Sequence, residues 1–541
     1  MLPDGKKDTK QLRRLLTVLM LVITVIGLGL FVAHIPQKAE AVGLKVKVIY
    51  NSAVLQTLTC DGENDQNEIN TSIALADQYD GAIVQLENGE YHLDGAYPGG
   101  NIYFINNDHI TVQGCGDSTV ILSRNNNQSE VIRPENCYDI TVRDLSVAFL
   151  PSVRAVNGLT IASSAGQKVE KFTYDNITVT GARTGVCPQT EGESEDVTFN
   201  NIRMIDSIQH GYWAHAELPY NFKNYRVTNC LIDGVQENGG IKGFGAYVNC
   251  ADGLWWENNR IINCPNDGFR AQGKSISAPL LNIHLIGGFY GNNGGSGVNL
   301  NAYVNGFEAA GFETAYNAIS GIVGQSYVTG GKIENVRAHN NPIGIYVYSI
   351  SVAIIDIIGN EAYENEDGFQ LSGLSRSAIS YNKSHNNTRC GMYFVAGTYN
   401  VSNLNQLWEN TYGMQFNSVL HHTSIGDMVT LTDYDGISTF NQCDYLTFIA
   451  PDISGSNQLN ISRANIQLAE TANVFIDKHT TTEAGAYLPL YNIKIMPTCN
   501  DVRIGDGFYG RTGSLVNVLD MREQATKTSE SNNTVAYKVE E

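Results

Sequence analysis

Cations are scarce in this sequence: 35 lysines and arginines stand against 55 aspartates and glutamates, for a net charge of -20. That shortage excludes nucleic acid and a polyanionic membrane surface as general partners, while leaving room for a local basic site. The 10 cysteines are scattered, and none forms a Cys-x-x-Cys pair. Neither a zinc ribbon nor a thioredoxin-like centre is signalled. Phosphate-cradling loops and nucleophile elbows are missing as well. The body of the chain also lacks a helical apolar period.

What is there is a repeat. Three consecutive stretches between residues 199 and 275, FNNIRMIDSIQHGYWAH, VTNCLIDGVQENGGIKGFG and ENNRIINCPNDGFRAQG, follow one pattern. Each has a polar-apolar strand, a corner rich in Asn or Asp, and a glycine opening a second short strand. Aligned, they place that glycine at Gly211, Gly240 and Gly268, with counterparts at Gly185, Gly297, Gly321, Gly344, Gly368, Gly391, Gly413 and Gly436. Spacings of 22 to 29 residues mean stacked supersecondary units rather than one closed globule. The unit is too short for a strand-helix-strand crossover. After each glycine the residues alternate, as in Phe269-Arg270-Ala271-Gln272 and Ile345-Tyr346-Val347-Tyr348. The first and third are apolar or small and face a continuous core; the second and fourth face outward.

The architecture expected is an all-β, single-stranded parallel β-helix. Corner Asn residues suit it, because Asn tolerates left-handed backbone and its amide can bond its counterparts in a ladder. Cys230 and Cys264 each follow an Asn in adjacent repeats, so they are expected to stack in the core or to pair as a disulfide.

Residues 15–33 form an uncharged apolar run after Lys6, Lys7, Lys10, Arg13 and Arg14. The run approaches the roughly 20 residues that span a bilayer, and the positive flank would stay cytoplasmic. An Ala-x-Ala pattern ending at Ala41 offers cleavage instead. Either reading, signal anchor or signal peptide, puts the remainder outside the cell. Asn-x-Ser/Thr sequons at Asn70, Asn127, Asn176, Asn382, Asn386, Asn400, Asn460 and Asn532 are compatible with that location.

The organisation expected is a basic segment with its apolar run over 1–41 and a lead-in over 42–57. An N-terminal cap and first coils follow over 58–184, then regular coils over 185–440, terminal coils and cap over 441–520, and a disordered polar tail over 521–541.

Asp61, Gly62 and Asp65 precede a short helix carrying Ile69, Ile73 and Ala76, and then come Gly81, Gly89 and Tyr91. This opening resembles that of pectate-lyase-like and polygalacturonase-like proteins, and the resemblance extends over roughly 58–470 through ITVQGCGDSTVIL and CYDITVRDLSV. It implies a right-handed coil and a short N-terminal capping helix. The superfamily includes lyases, hydrolases, epimerases, tailspikes and adhesins, so fold does not settle activity.

Longer early repeats must spend their extra residues on loops, and loops beside a rigid sheet make a groove. Aligned on the glycines, Trp213, Lys242, Arg270 and Asn299 fall in one outward file, with His215, Phe244, Gln272 and Asn301 in the next, rungs about 4.8 Å apart. His210, Glu237 and Asp267 lie nearby, and Tyr346 and Tyr348 extend the files. Lys242 and Arg270 would neutralise a sugar carboxylate while a base removes the adjacent proton, the combination β-elimination needs. Lys is the better base, since its pKa can fall beside a second cation; His210 and His215 are alternatives. Trp213, Phe244, Tyr346 and Tyr348 would stack on sugar faces. The other reading of the two cations is a solvated cluster paired with Glu237 and Asp267.

A Lys and an Arg one coil apart resembles chondroitinase-B-like and alginate lyases. The Asp-Pro-His-Asp element of mannuronan epimerases is absent, as are the paired aspartates of polygalacturonases. A polysaccharide lyase acting on acidic glycan is therefore the expected activity. The alternatives are a non-catalytic glycan-binding or adhesive protein and a glycoside hydrolase or uronate epimerase. Glu191, Glu193, Glu195 and Asp196 in TEGESEDV supply carboxylates of the kind that hold Ca2+.

Overall fold

A computed structural model describes residues 43–521 apart from 96–99, 127–128, 154, 217–221, 239, 250, 456–463, 483–490, 506 and 510–515. The apolar run 15–33 and the polar tail from 522 lie outside the described residues. Among the described residues no helix is long and apolar enough to cross a membrane.

The regular coils contribute three strands, for example Val304–Ala310, Glu313–Ala315 and Ser320–Gln325, while in two early coils the first two run together, as in Lys168–Thr180. Each pairs in parallel with its counterpart one coil on, as in Glu308 with Lys332, Glu313 with Arg337 and Val323 with Tyr346. The chain is thus a parallel β-helix. Among the described residues the face opened by the glycines runs through 17 strands from Ile102–Ile105 to Val516–Asp520. The alternation read from the sequence places Phe269, Ala271, Ile345, Val347, Met414 and Phe416 in the core, all 0% exposed. That core is one continuous column.

The recurrent glycines do a specific job. A Cβ on Gly344 would lie 2.6 Å from the Gly368 carbonyl oxygen, and one on Gly321 would lie 2.6 Å from that of Gly344. Successive backbones approach too closely on this face for any side chain, so the glycine supplies space rather than unusual dihedral angles. Gly158, Gly185, Gly211, Gly245 and Gly268 belong to the same series, each facing the carbonyl of the next. The third coil is therefore anchored by Gly245, not by Gly240. Gly240 sits at φ +80 with nothing near it. The residues before Gly245 form a separate two-stranded hairpin in which Glu237 pairs with Lys242.

Two amide ladders lock the later corners. Asn293, Asn317, Asn341, Asn365, Asn387 and Asn410 succeed one another, each side-chain oxygen accepting the backbone N–H of the residue one coil before. At the other corner Asn360, Asn382, Asn405 and Asp427 repeat the arrangement. These bonds satisfy backbone groups that the turns would leave orphaned in the core. Sequon residues Asn382 and Asn400 are buried in such contacts.

At the N-terminal end, Lys45–Tyr50 pairs antiparallel with both Ala53–Thr59 and Ile83–Leu86, so the expected lead-in is a hairpin covering the sheet edge. The helix Gln66–Ala76 buries Ile69, Ile73 and Ala76, as its spacing predicts. Asp65 before it accepts the N–H of Gly62 at 3.0 Å and of His92 at 2.7 Å. Cys230 and Cys264 are buried free thiols, but they occupy different corners. The Cys230 N–H donates to Asn259 of the next coil and the Cys264 N–H to Asn293. They therefore neither stack nor pair.

Candidate functional site

Register on the glycine face decides which side chains meet. Tyr212 pairs with Ala246 and Trp213 with Tyr247; Tyr247 then pairs with Arg270, and Arg270 with Asn299. The outward file is Trp213, Tyr247, Arg270, Asn299, and the next is His215, Asn249, Gln272, Asn301. Lys242 belongs to neither, because its backbone lies in the hairpin with exposed Glu237. Its side chain lies outside the described residues. The expected Lys242 and Arg270 stack is thus replaced by tyrosine above arginine. Two like charges one rung apart would have repelled each other, and the register avoids that.

Arg270 is held from several sides. Its Nη2 and Nε donate to Gln272 Oε1 at 3.0 and 3.3 Å. Nη1 lies 3.6 Å from the Asp267 carboxylate, and the guanidinium sits 4.9 Å over the Phe244 ring. Gln272 Oε1 also accepts from Asn301 at 3.0 Å. Asp267 accepts from Ser296 N–H and Asn299 Nδ2, both at 2.8 Å. Burial pushes the Asp267 carboxyl up, against the pull of those donors and of Arg270. With 24% of its side chain exposed, Arg270 is a fixed cation with one face to solvent.

His210 is not a reachable base. It is 6% exposed, stacks on Phe244 at 5.7 Å, and its Nδ1 accepts the Phe244 N–H at 3.2 Å. Burial first, then the Arg183 charge, lowers its pKa to about 4. Tyr212 is core, fully buried. His215 is half-buried, accepts Asn249 Nδ2 at Nδ1 across 3.1 Å, and lies 5.3 Å from the Trp213 ring. Tyr346 and Tyr348 do share the outward side of one later strand, rings 6.2 Å apart.

The four acids of TEGESEDV do not converge. Glu195 is bound to Lys168 at 2.7 Å, Glu193 lies 3.6 Å from Lys223, and Asp196 accepts from Asn224 at 3.2 Å. Alternation puts Glu193 and Glu195 on one outward side, but Lys168 from the coil before and Lys223 from the coil after draw them apart. Among the described residues, the group whose ligand atoms come within 4.8 Å of one another is Cys60, Asp65 and Glu68. Asp65 in that group is already committed to the backbone N–H groups of Gly62 and His92.

The sequence reading missed a cavity of about 510 Å³ on the same face, toward the N-terminal coils. Its walls carry Glu130, Arg133, Thr160, Ser163, Glu191 and His215. Arg133 bridges Glu130 at 2.7 Å and Glu135 at 3.3 Å. The signal was present in the alternation of EVIRPE, residues 130–135, which puts Arg133 and Glu135 outward.

No protein-family model and no curated protein matches the chain. Among solved structures, the A-module of a mannuronan C-5 epimerase from Azotobacter vinelandii is similar at 13% identity, covering 83% of this chain and 96% of that one with a TM-score of 0.30. A periplasmic alginate epimerase is similar at 10% identity over 83% and 95%, with a TM-score of 0.29. The catalytic unit of an α-1,3-glucanase from Streptomyces thermodiastaticus is similar at 14% identity over 83% and 66%, with a TM-score of 0.25. Likenesses at this level assign no activity to the chain.

Proposed function

We propose that the outward glycine face binds an acidic glycan, with Arg270 as the partner of a sugar carboxylate. The observation that carries this reading is the setting of that guanidinium. It is oriented by Gln272 and Asp267, backed by Phe244, and placed one rung from Tyr247 and two from Trp213. A preorganised cation meets a carboxylate with little ordering cost, and the neighbouring rings offer apolar surface to sugar C–H groups. In a chain of net charge -20, such a cation gives local recognition rather than long-range attraction.

Separation of Lys242 from the Arg270 file favours binding without catalysis. β-Elimination is the second reading, and the half-buried His215 beside Trp213 favours it, with Tyr247 directly above Arg270 as the other candidate base. Binding of polygalacturonate and alginate to the purified protein, followed by ultraviolet absorbance for unsaturated products, separates the readings. Arg270→Ala is expected to weaken binding at least about tenfold, the scale of a charged hydrogen-bonded contact. Unchanged binding would remove the proposal. Product absorbance lost in His215→Ala or Tyr247→Phe would move the assignment to a lyase. We also place this activity outside the cell, on the apolar run at 15–33; protease protection of the full chain in intact cells would overturn that.

A further inference from the structure

The cavity of about 510 Å³ shares its outward face with Arg270 but differs from it in charge and in lining. Glu130, Thr160, Ser163 and Thr190 form its buried floor. Each is held in place. Glu130 accepts from Arg133 at 2.7 Å, and Thr160 Oγ1 donates to the Ile132 carbonyl at 3.0 Å. The Ser163 and Thr190 hydroxyls bond each other, and Ser163 also donates to the Glu193 carbonyl at 3.1 Å. On the wall, the buried Ser129 hydroxyl has no hydrogen-bond partner. A recess lined by fixed hydroxyls and amides is built to receive a polyhydroxylated molecule.

Charge narrows the ligand. Among the described lining residues the arginine, Arg133, is shared between Glu130 and Glu135, and Glu191 adds a carboxylate at the rim. A uronate entering here would meet like charge in a partly desolvated site, whereas an uncharged sugar would meet hydrogen-bonding groups and the apolar surface around Ala162. His215 on the rim lies beside Trp213, whose file reaches Arg270 two rungs on, about 10 Å along the axis. One extended chain can therefore touch both places.

We infer that this cavity is a sugar subsite selective for an uncharged residue, so that the face reads a heteroglycan in which a neutral hexose or N-acylated hexosamine lies near a uronate. The inference rests on the reading of Arg270 as the uronate partner, and it names the substrate class of that same face.

The test compares two probes by titration calorimetry on the full-length protein. One is an oligogalacturonate, all uronate; the other is a hyaluronan oligosaccharide of equal length, alternating uronate with N-acetylhexosamine. Wild type should bind the alternating probe at least about tenfold more tightly, and Ala162→Trp, which fills the recess, should bring the two probes within about twofold, a tenfold ratio being one step of 1.4 kcal/mol. Ser164→Trp on the exposed rim is the second variant, should the first melt early. Equal binding of the two probes by wild type, or an unchanged preference in a folded recess variant, overturns the subsite and leaves the Arg270 reading standing. Binding of neither probe overturns both.

Discussion

Coils before and after Asn293 stack on one core, yet they are locked by different means. From Asn293 onward the corner before the glycine face carries Asn317, Asn341, Asn365, Asn387 and Asn410 in sequence. In the earlier coils the same corner holds Ala182, Ser207, Val235 and Cys264, and no amide ladder can form. The later coils also stack His339, Tyr363, His385 and Trp408 outside, ring on ring at 4.7, 5.3 and 4.2 Å. Those rings cover one another's faces and offer only edges. The early coils instead spend residues on a hairpin, set Phe244 and Tyr247 tilted against each other at 5.3 Å rather than face to face, and open the cavity. Regularity supplies stability, and irregularity leaves room for the proposed site.

The largest effect should come from the glycine series. Gly344→Ala sets a Cβ 2.6 Å from the Gly368 carbonyl, against backbone that cannot yield without breaking the stack. We expect a loss of about 3 kcal/mol or more by chemical denaturation, the upper range for overpacking. Gly240→Ala meets open space and carries only the strain of φ +80, about 1–2 kcal/mol. Equal losses at the two positions would mean that Gly240, not Gly245, anchors the third coil.

Next comes the amide ladder. Asn365 accepts the backbone N–H of Asn341 at 3.0 Å and donates to the Ala338 carbonyl at 3.0 Å and to Asn387 at 3.2 Å, all buried. Asn365→Ala leaves those groups unsatisfied, and we expect a loss of about 2–3 kcal/mol. The corresponding early residue, Val235, already lacks an amide, so Val235→Ala should cost less, about 1 kcal/mol, as a partial cavity. The reverse order would show that the ladder is ornamental to stability.

Much of this contrast was legible in the sequence. Alternation after each glycine fixes inside and outside because the side-chain period of a strand is two, and the Asn corners follow from the need to satisfy turning backbone. The third coil was misread for a local reason. Gly239, Gly240, Gly243 and Gly245 lie within one short stretch, and an even spacing prefers Gly240, whereas the hairpin lengthens that coil and moves the anchor to Gly245. One shift of five residues exchanged Lys242 for Tyr247 in the file. Alternation in EVIRPE turns Arg133 and Glu135 outward, but the recess itself depends on how long successive corners are, and the coils before Gly185 carry too few regular glycines to be aligned.

Acid should act alike on a buried histidine in each of the two regions. His422 lies between Phe394 and Phe416 at 4.8 and 4.9 Å, and burial lowers its pKa to about 3. His210 in the early face is lowered to about 4. A base depressed in the folded state binds its proton first in the unfolded chain. Its contribution is present above the unfolded pKa near 6.5 and is lost as pH falls. Between pH 7 and 5 each group should remove about 2 kcal/mol. His422→Leu and His210→Leu should each flatten the acid slope by that amount. The raised carboxyls of Asp267 and Asp427 act in the opposite sense, so the slope is read as protein minus variant. A slope unchanged in His422→Leu would mean that its ring is hydrated in solution.

The smallest effect falls on the outer surface of the early coils. Glu195 holds Lys168 at 2.7 Å with about a third of each side chain exposed, and the Lys168 bond keeps the Glu195 carboxyl below its usual range. As a surface pair it should be worth less than about 1 kcal/mol and should weaken with salt. Glu195→Gln is therefore expected to shift the melting temperature slightly, and by the same amount with and without added Ca2+. A metal site would behave otherwise: bound ion stabilises by mass action, so the wild type would gain in Ca2+ and the variant would not. A gain confined to wild type would mean that the acidic loop regroups around an ion and that Lys168 gives up its partner, making the early coils adaptable where the later ones are fixed.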